Sequence, residues 1–319
     1  MHMFRLVPVE PRLHFVRYQN WAYAFSGALV ILTLILLPTR GLNMGIDFQG
    51  GILIEVGMPT AAPDLASMRA ALNGLGLGEV ALQEFGSPSD IMIRIERQAG
   101  GEAAQLAAVD QIKATLQKEF GDEVSYRRVE MVGPKVSADL FWSSAWALGL
   151  ALLAILVYVW FRFEWQFGVG GVIALAHDAF TTLGLFSLLG LEFNLATVAA
   201  LLTIVGYSIN DTVVIYDRIR ENLRRYKTMP LADLVDRSLN ETLARTVMTS
   251  ATTLLALIAL AVVGGPVIRD FTIAMIWGVL IGCYSTVYVA SPIVLHLHLR
   301  REPVGEPAAL GAGTPKAGT

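Results

Sequence analysis

The sequence predicts a membrane protein built as a six-helix transmembrane bundle with one ferredoxin-like α+β domain outside it. Three observations carry that fold class. Of the 319 residues, 54% are hydrophobic and only 16% are charged, against about 25% charged in an ordinary soluble domain. The charges are also unevenly placed, leaving six long apolar runs. Between the first run and the second, about 95 residues instead alternate strand-like and helix-like patterns.

The apolar runs cover 20–38, 138–160, 166–189, 194–216, 243–264 and 271–295, each long enough to cross about 30 Å of hydrocarbon. The first resembles a secretory signal. It is long for one, however, and Pro38, Thr39 and Arg40 offer no small-residue cleavage site, so it reads as a retained span. Segment 1–19 precedes it, the external domain occupies 39–137, and the remaining five spans lie within 138–299. A loop is expected at 217–242. The stretch 300–319, rich in Gly, Ala and Pro towards its end, reads as a disordered tail. Arg5, Arg12 and Arg17 precede the first span. Arg218, Arg220, Arg224, Arg225, Lys227 and Arg237 lie between spans four and five, and Arg300 and Arg301 follow span six. The short loops at 190–193 and 264–270 hold only Arg269. Basic residues stay on the cytoplasmic side, so both termini and the 217–242 loop are expected there. A net charge of −3 gives no reason to expect a nucleic-acid partner, and the lone Cys283 cannot form a disulfide within the chain.

In the external domain, Ile52, Ile54 and Val56 alternate with Leu53 and Glu55, a strand pattern. Leu65, Met68, Leu72 and Leu75 follow at helical spacing. A strand at 80–84 and another carrying Ile91, Ile93 and Ile95 flank Gly86-Ser87-Pro88-Ser89, which reads as a hairpin turn. A second helix carries Leu106, Val109, Ile112 and Leu116, and 124–132 is a last strand. The order β-α-β-β-α-β is the split βαβ pattern. It predicts a four-stranded antiparallel sheet with the three isoleucines facing two helices. The domain has no His/Cys cluster, nucleophile elbow or phosphate loop, which favours binding or movement over catalysis.

Ionisable groups inside spans are costly, so each needs a reason. Span three holds His177-Asp178, span four Asn210-Asp211, and span five Arg245. Counted from the polar ends of their spans, Asp211 lies about 9 Å deep and Arg245 about 6 Å deep. Antiparallel neighbours would let them face each other. They read either as a structural pair, with Arg245 snorkelling, or as a proton-linked carboxylate balanced by a guanidinium. His177 and Asp178 are consecutive, about 100° apart on a helix, and are expected not to face one partner; a buried hydrogen-bonded role and a relay role both stay open. Gly278 and Gly282 have the spacing of a close helix contact. Asp217, Arg218, Arg220 and Glu221 read as a solvated face or a partner contact.

These residues resemble a known family. Gly45-Ile46-Asp47-Phe48-Gln49-Gly50-Gly51 is similar to the GIDFxGG motif of the SecD/SecF family. So are Ala174-Leu175-Ala176-His177-Asp178, Val205 to Thr212, Asp217 to Asn222, Arg245-Thr246 with Thr249-Ser250, and Gly264-Gly265-Pro266. The small external domain resembles that of the SecF branch. The resemblance implies an RND-superfamily fold in a multi-pass protein of the bacterial inner membrane. It implies pairing with SecD beside the SecY/SecE/SecG channel and YajC, among membrane lipids, with an unfolded exported polypeptide as cargo. It further implies a non-enzymatic subunit with no cofactor other than protons as coupling ion, and Asp211 with Arg245 as the coupling residues. An RND-type exporter half for lipids or small molecules is the alternative. An intramembrane enzyme would need a metal or nucleophile set, and no HExxH is present.

Overall fold

The computed structural model describes residues 12–59, 64–78, 80–121, 123–265 and 268–297. The expectations for 300–319, Pro266, Arg5, Arg300 and Arg301 lie outside them. Among the described residues, six helices are long and apolar enough to span a membrane: Val16–Arg40, Lys135–Arg162, Trp165–Leu189, Leu195–Arg225, Leu231–Val263 and Arg269–His296. We label the helices α1 (Gln19–Arg40), α2 (Ile46–Gln49), α3 (Leu65–Asn73), α4 (Gly101–Phe120), α5 (Pro134–Arg162), α6 (Trp165–Leu189), α7 (Leu195–Arg225), α8 (Leu231–Val263), α9 (Arg269–Ser285) and α10 (Ser291–His296). Spans three, four and six form the centre of the bundle, each with about half of its most apolar stretch buried; spans one and five bury few residues there and span two none.

Close approach at the centre depends on small residues. A Cβ on Gly278 would run into Ile204, and one on Gly282 would lie 3.2 Å from Ser208 Cβ, so the expected glycine pair seats span six against span four. Gly184 makes the same room for Thr33 of span one. Span six is not uniform. Thr286–Ala290 widen into a π turn just before Pro292, whose ring nitrogen cannot donate to the preceding turn.

The loop expected at 217–242 is instead a helical hairpin. α7 continues to Arg225 and α8 starts at Leu231, leaving only 226–230 as the connection. The apolar run ends near 216, but the helix persists because its charges pair along and between helices. Arg218 bonds Glu241 at 2.7 Å and Glu221 at 2.5 Å, Arg237 bonds Glu241 at 3.0 Å, and Asn222 donates to Ser238 at 3.0 Å. Leu234, Val235 and Leu239 bury against Ile215 and Ile219. The N-terminal stretch is tied to this hairpin: Val16 N donates to Asp236 Oδ1 at 2.8 Å, and Leu13 exchanges two bonds with Asn240.

The external domain is ferredoxin-like. Strands β2 (Gly51–Gly57), β3 (Val80–Phe85), β4 (Ser87–Ile95) and β5 (Ser125–Val132) form an antiparallel sheet in the order β3-β4-β2-β5. Ile91, Ile93 and Ile95 are buried against Met68, Leu72, Ile112 and Leu116 of the two helices, on the face that period-two alternation assigns them. Two details differ from expectation. The β3–β4 hairpin turns on Gly86 alone, at φ 83°, with a bulge beside it, so Ser87, Pro88 and Ser89 belong to the strand. Leu106 is 48% exposed; the buried stripe of α4 runs through Gln105, Ala108, Val109, Ile112 and Leu116, and Gln105 donates to Val132 O at 3.3 Å.

Candidate functional site

Two constellations concentrate the polar residues of the bundle and its join to the domain. The first lies among spans three, four, five and six. Asp178 of α6 is fully buried. Its Oδ2 accepts hydrogen bonds from Ser208 Oγ of α7 at 2.8 Å and Ser285 Oγ of α9 at 2.7 Å. Its Oδ1 lies 3.1 Å from His177 Nδ1. One carboxylate therefore joins the three central spans. Their Cα–Cβ bonds diverge, as consecutive helix positions require, and the His177 ring turns back onto its neighbour, so the two form a buried hydrogen-bonded pair. His177 Nε2 remains buried without a partner. One turn on, Thr212 and Thr286 hydroxyls meet at 2.9 Å, linking span four to the π turn.

Asp211 is 3% exposed, and its Oδ2 has no hydrogen-bond partner. Arg245 lies near enough for its charge to act on Asp211, yet the two form no direct ion pair. Arg245 and Asn210 lie exposed on the outer sides of α8 and α7. Beside them, Ser250 of span five and the Cys283 thiol of span six are 2.8 Å apart. The Asp178 cluster, the Thr212–Thr286 pair and the Ser250–Cys283 pair are separate polar contacts set among the aliphatic and aromatic side chains of the bundle core.

The second constellation joins the domain to the bundle. Within Gly45 to Gly51, Ile46–Gln49 form the one-turn helix α2, which Gly50 at φ 74° and Gly51 at φ 121° turn into β2. A Cβ on Gly51 would lie 2.5 Å from the Ile95 carbonyl, and one on Gly45 would lie 2.6 Å from a Glu192 carboxylate oxygen. Ile46 is buried under the sheet with Leu53 and Met92. Phe48 packs edge-on against Phe141 of span two and obliquely on Phe193. Asp47 Oδ2 accepts from the backbone N–H of Leu195, the first residue of α7. The short strands β1 (Asn43–Met44) and β6 (Glu192–Phe193) pair in parallel. Arg94 bonds Glu192 at 3.1 Å and Asn43 at 3.0 Å, and Asp270 of α9 accepts from Glu192 N at 2.8 Å. The domain is thus clasped to the first residues of spans four and six, whose interiors carry Asp211 and Ser285.

Comparison with known proteins shows the family. The model of the family "Protein export membrane protein SecD/SecF, C-terminal" matches residues 111–300, and that of the "SecD/SecF GG Motif" matches 35–58. The protein translocase subunit SecF of Rhodobacter capsulatus is 47% identical over 310 residues, covering 93% of this chain and 92% of that protein. That of Rickettsia felis is 45% identical over 294 residues, 92% and 94% of the two chains. The chain belongs to the SecF family. The crystal structure of SecDF from Thermus thermophilus, described as a translocon-associated membrane protein, superposes with a TM-score of 0.81 at 37% identity over 90% of this chain. This chain spans 39% of that longer protein. SecDF in its super-membrane-facing form superposes at 0.63 with 34% identity.

Within this SecF-family chain, sequence reasoning found the ionisable residues and missed what they bond to. Ser208, Thr212, Ser285 and Thr286 are ordinary residues in apolar runs. Their signal is spacing: Ser208 and Thr212 lie one turn apart beside Asp211, and Ser285 follows one turn after the close-packed Gly282.

Proposed function

We propose that this chain couples proton entry at Asp211 to late-stage export of unfolded polypeptides, as the SecF-type partner of a SecD chain. Membership of the SecF family supports a role in protein translocation at the inner membrane. The observation that carries the proton reading is Asp211: a buried membrane carboxylate with an unpartnered oxygen, within the field of Arg245 but not bonded to it. Burial in a low-dielectric bundle favours the neutral acid and an approaching guanidinium favours the carboxylate. The protonation state therefore follows the position of span five relative to span four. Movement of those spans reaches the external domain through the clasp, because Asp47 caps the start of α7, about 24 Å along the helix from Asp211.

Arg245 and Asn210 are exposed on spans four and five, where hydrocarbon would be a poor neighbour. A SecD chain covering this face, with a membrane acid of its own near Arg245, completes the site. The SecY/SecE/SecG channel and YajC are the further partners this role implies, with the arginine-rich 217–242 hairpin and both termini on the cytoplasmic side and protons as the coupling ion. The test is polypeptide export into inner-membrane vesicles with and without a proton gradient. Asp211→Asn and Arg245→Ala are expected to abolish the gradient-dependent part of export while SecD still co-purifies. Arg245→Lys is expected to fail as well, because one ammonium cannot reproduce the planar guanidinium fork. Full gradient stimulation with Asp211→Asn would place the coupling elsewhere.

A further inference from the structure

At the arginine-rich end of the bundle, an open cleft of about 590 Å³ lies between the last turn of α5 and the extension of α7, lined by Arg162, Asp217, Arg220, Glu221, Arg224 and Arg225. Its two acids are already engaged. Asp217 takes both oxygens to Arg162 at 2.8 and 3.0 Å, and Glu221 pairs with Arg218 at 2.5 Å. Arg220 donates only to the Arg162 carbonyl, and the Arg225 guanidinium lies over the Tyr226 ring. Among the described residues, none of Arg220, Arg224 and Arg225 has a carboxylate partner. Three guanidinium charges thus face one cleft without a counter-ion.

The surroundings narrow the ligand. Trp160 and Phe161 end the same helix fully out on its surface, with Phe161 90% exposed, and Trp165 opens the next. Exposed aromatics at a span end mark the headgroup level of a bilayer. Below them, on the side of span two that carries Arg162, Tyr158 and Ala154 continue an exposed track towards the bilayer interior. A free anion would use the arginines and leave the track bare. A lipid would use both: phosphate in the arginine cleft, where guanidinium forks suit its oxygens, and acyl chains along span two. We propose that this cleft is a specific site for the headgroup of an anionic phospholipid. Such a lipid would anchor the charged end of span four at a fixed depth. The inference does not depend on how protons are used at Asp211.

The experiment is native mass spectrometry of the full chain purified in detergent and offered equal phosphatidylglycerol and phosphatidylcholine. The chain is expected to retain phosphatidylglycerol preferentially. Arg224→Gln with Arg225→Gln is expected to cut that retention by roughly tenfold. Arg69→Gln with Lys118→Gln, an equal charge change on exposed positions of the external domain, is expected to leave it unchanged. Arg224→Lys with Arg225→Lys keeps the charge and is expected to keep most of the lipid, which separates lost binding from lost folding. Equal retention of the two lipids, unchanged retention in the glutamine variant, or displacement by millimolar inorganic phosphate would each overturn the proposal, the last in favour of a soluble anion.

Discussion

Asp178 and Asp211 are both buried acids in the same bundle, yet their surroundings give them different work. Asp178 accepts hydrogen bonds from two spans besides its own, and His177 sits against its other oxygen, so both oxygens have fixed partners. Asp211 has an oxygen with nothing to accept. The first is expected to behave as a structural post and the second as the group whose charge changes. Asp178→Ala leaves the Ser208 and Ser285 hydroxyls without their acceptor and is expected to cost about 1–3 kcal/mol, read as a lower unfolding temperature in detergent. Asp178→Asn keeps the shape and one acceptor oxygen, and is expected to lose less. If Asp178→Ala melted like the unchanged chain, the three-span hub would carry no load. Asp211→Asn should show the reverse pattern, with little change in melting and loss of gradient-driven export.

At the level of elements, the clasp turns a short motif into a mechanical joint. Gly51 sits at φ 121° with the Ile95 carbonyl where a Cβ would go. Gly51→Ala must therefore distort the β2–β4 ladder, and is expected to destabilise the external domain by about 1–3 kcal/mol in denaturant titration. The same joint should sense pH. Burial holds the Glu192 carboxyl above its ordinary range; Arg94 opposes this, while Asp270 and Asp47 reinforce it. A group that binds its proton more tightly in the closed clasp stabilises closure fully below the ordinary glutamate range. It loses that contribution as pH rises through the raised value. Amides of 43–45 and 190–195 are therefore expected to exchange hydrogen more slowly, after correction for intrinsic rates, just above the ordinary glutamate range than at neutral pH. Glu192→Gln should remove the difference, and a clasp that tightens as pH rises would contradict this account.

These elements also show what the sequence could and could not reveal. Alternation of Ile91, Ile93 and Ile95 placed them on the helix face because one buried side of a sheet imposes a period of two. The other face of β2 was not legible. Leu53 is buried by Ile46 and Met92, and Glu55 by its pairing with Arg128, and both covers come from distant chain segments. The spans were found from apolar runs, yet α7 and α8 outlast their apolar stretches by many residues, because a hydropathy reading ends where charge begins while a helix need not. Asp211 and Arg245 stood out by the cost of charge in a membrane. The hydroxyls around Asp178 did not, since Ser and Thr are common in spans and only three-dimensional packing brings 178, 208 and 285 together.

For the whole molecule, the deciding feature is the uneven covering of the bundle. Span two presents apolar and aromatic side chains outward along its length, as lipid-facing helices do. Spans four and five present Asn210, Thr203, Arg245 and Thr252 beside apolar neighbours such as Met248 and Leu255. The Thr203 and Thr252 hydroxyls donate to carbonyls of their own helices, but hydrocarbon would leave the Asn210 amide and the Arg245 guanidinium unsatisfied, whereas a second membrane protein can pair with them and still bury the apolar neighbours. The two faces are therefore expected to differ in the assembled complex. With Cys283 replaced by Ser, single cysteines at Asn210 or Thr252 should be shielded from a membrane-soluble thiol reagent when SecD is co-expressed, and labelled when it is absent. Single cysteines at Leu150 or Leu153 of span two should be labelled equally in both cases. Shielding at Leu150 without shielding at Asn210 would put the partner on the opposite side of the bundle, and Asp211 and Arg245 would then have to work without a neighbouring chain.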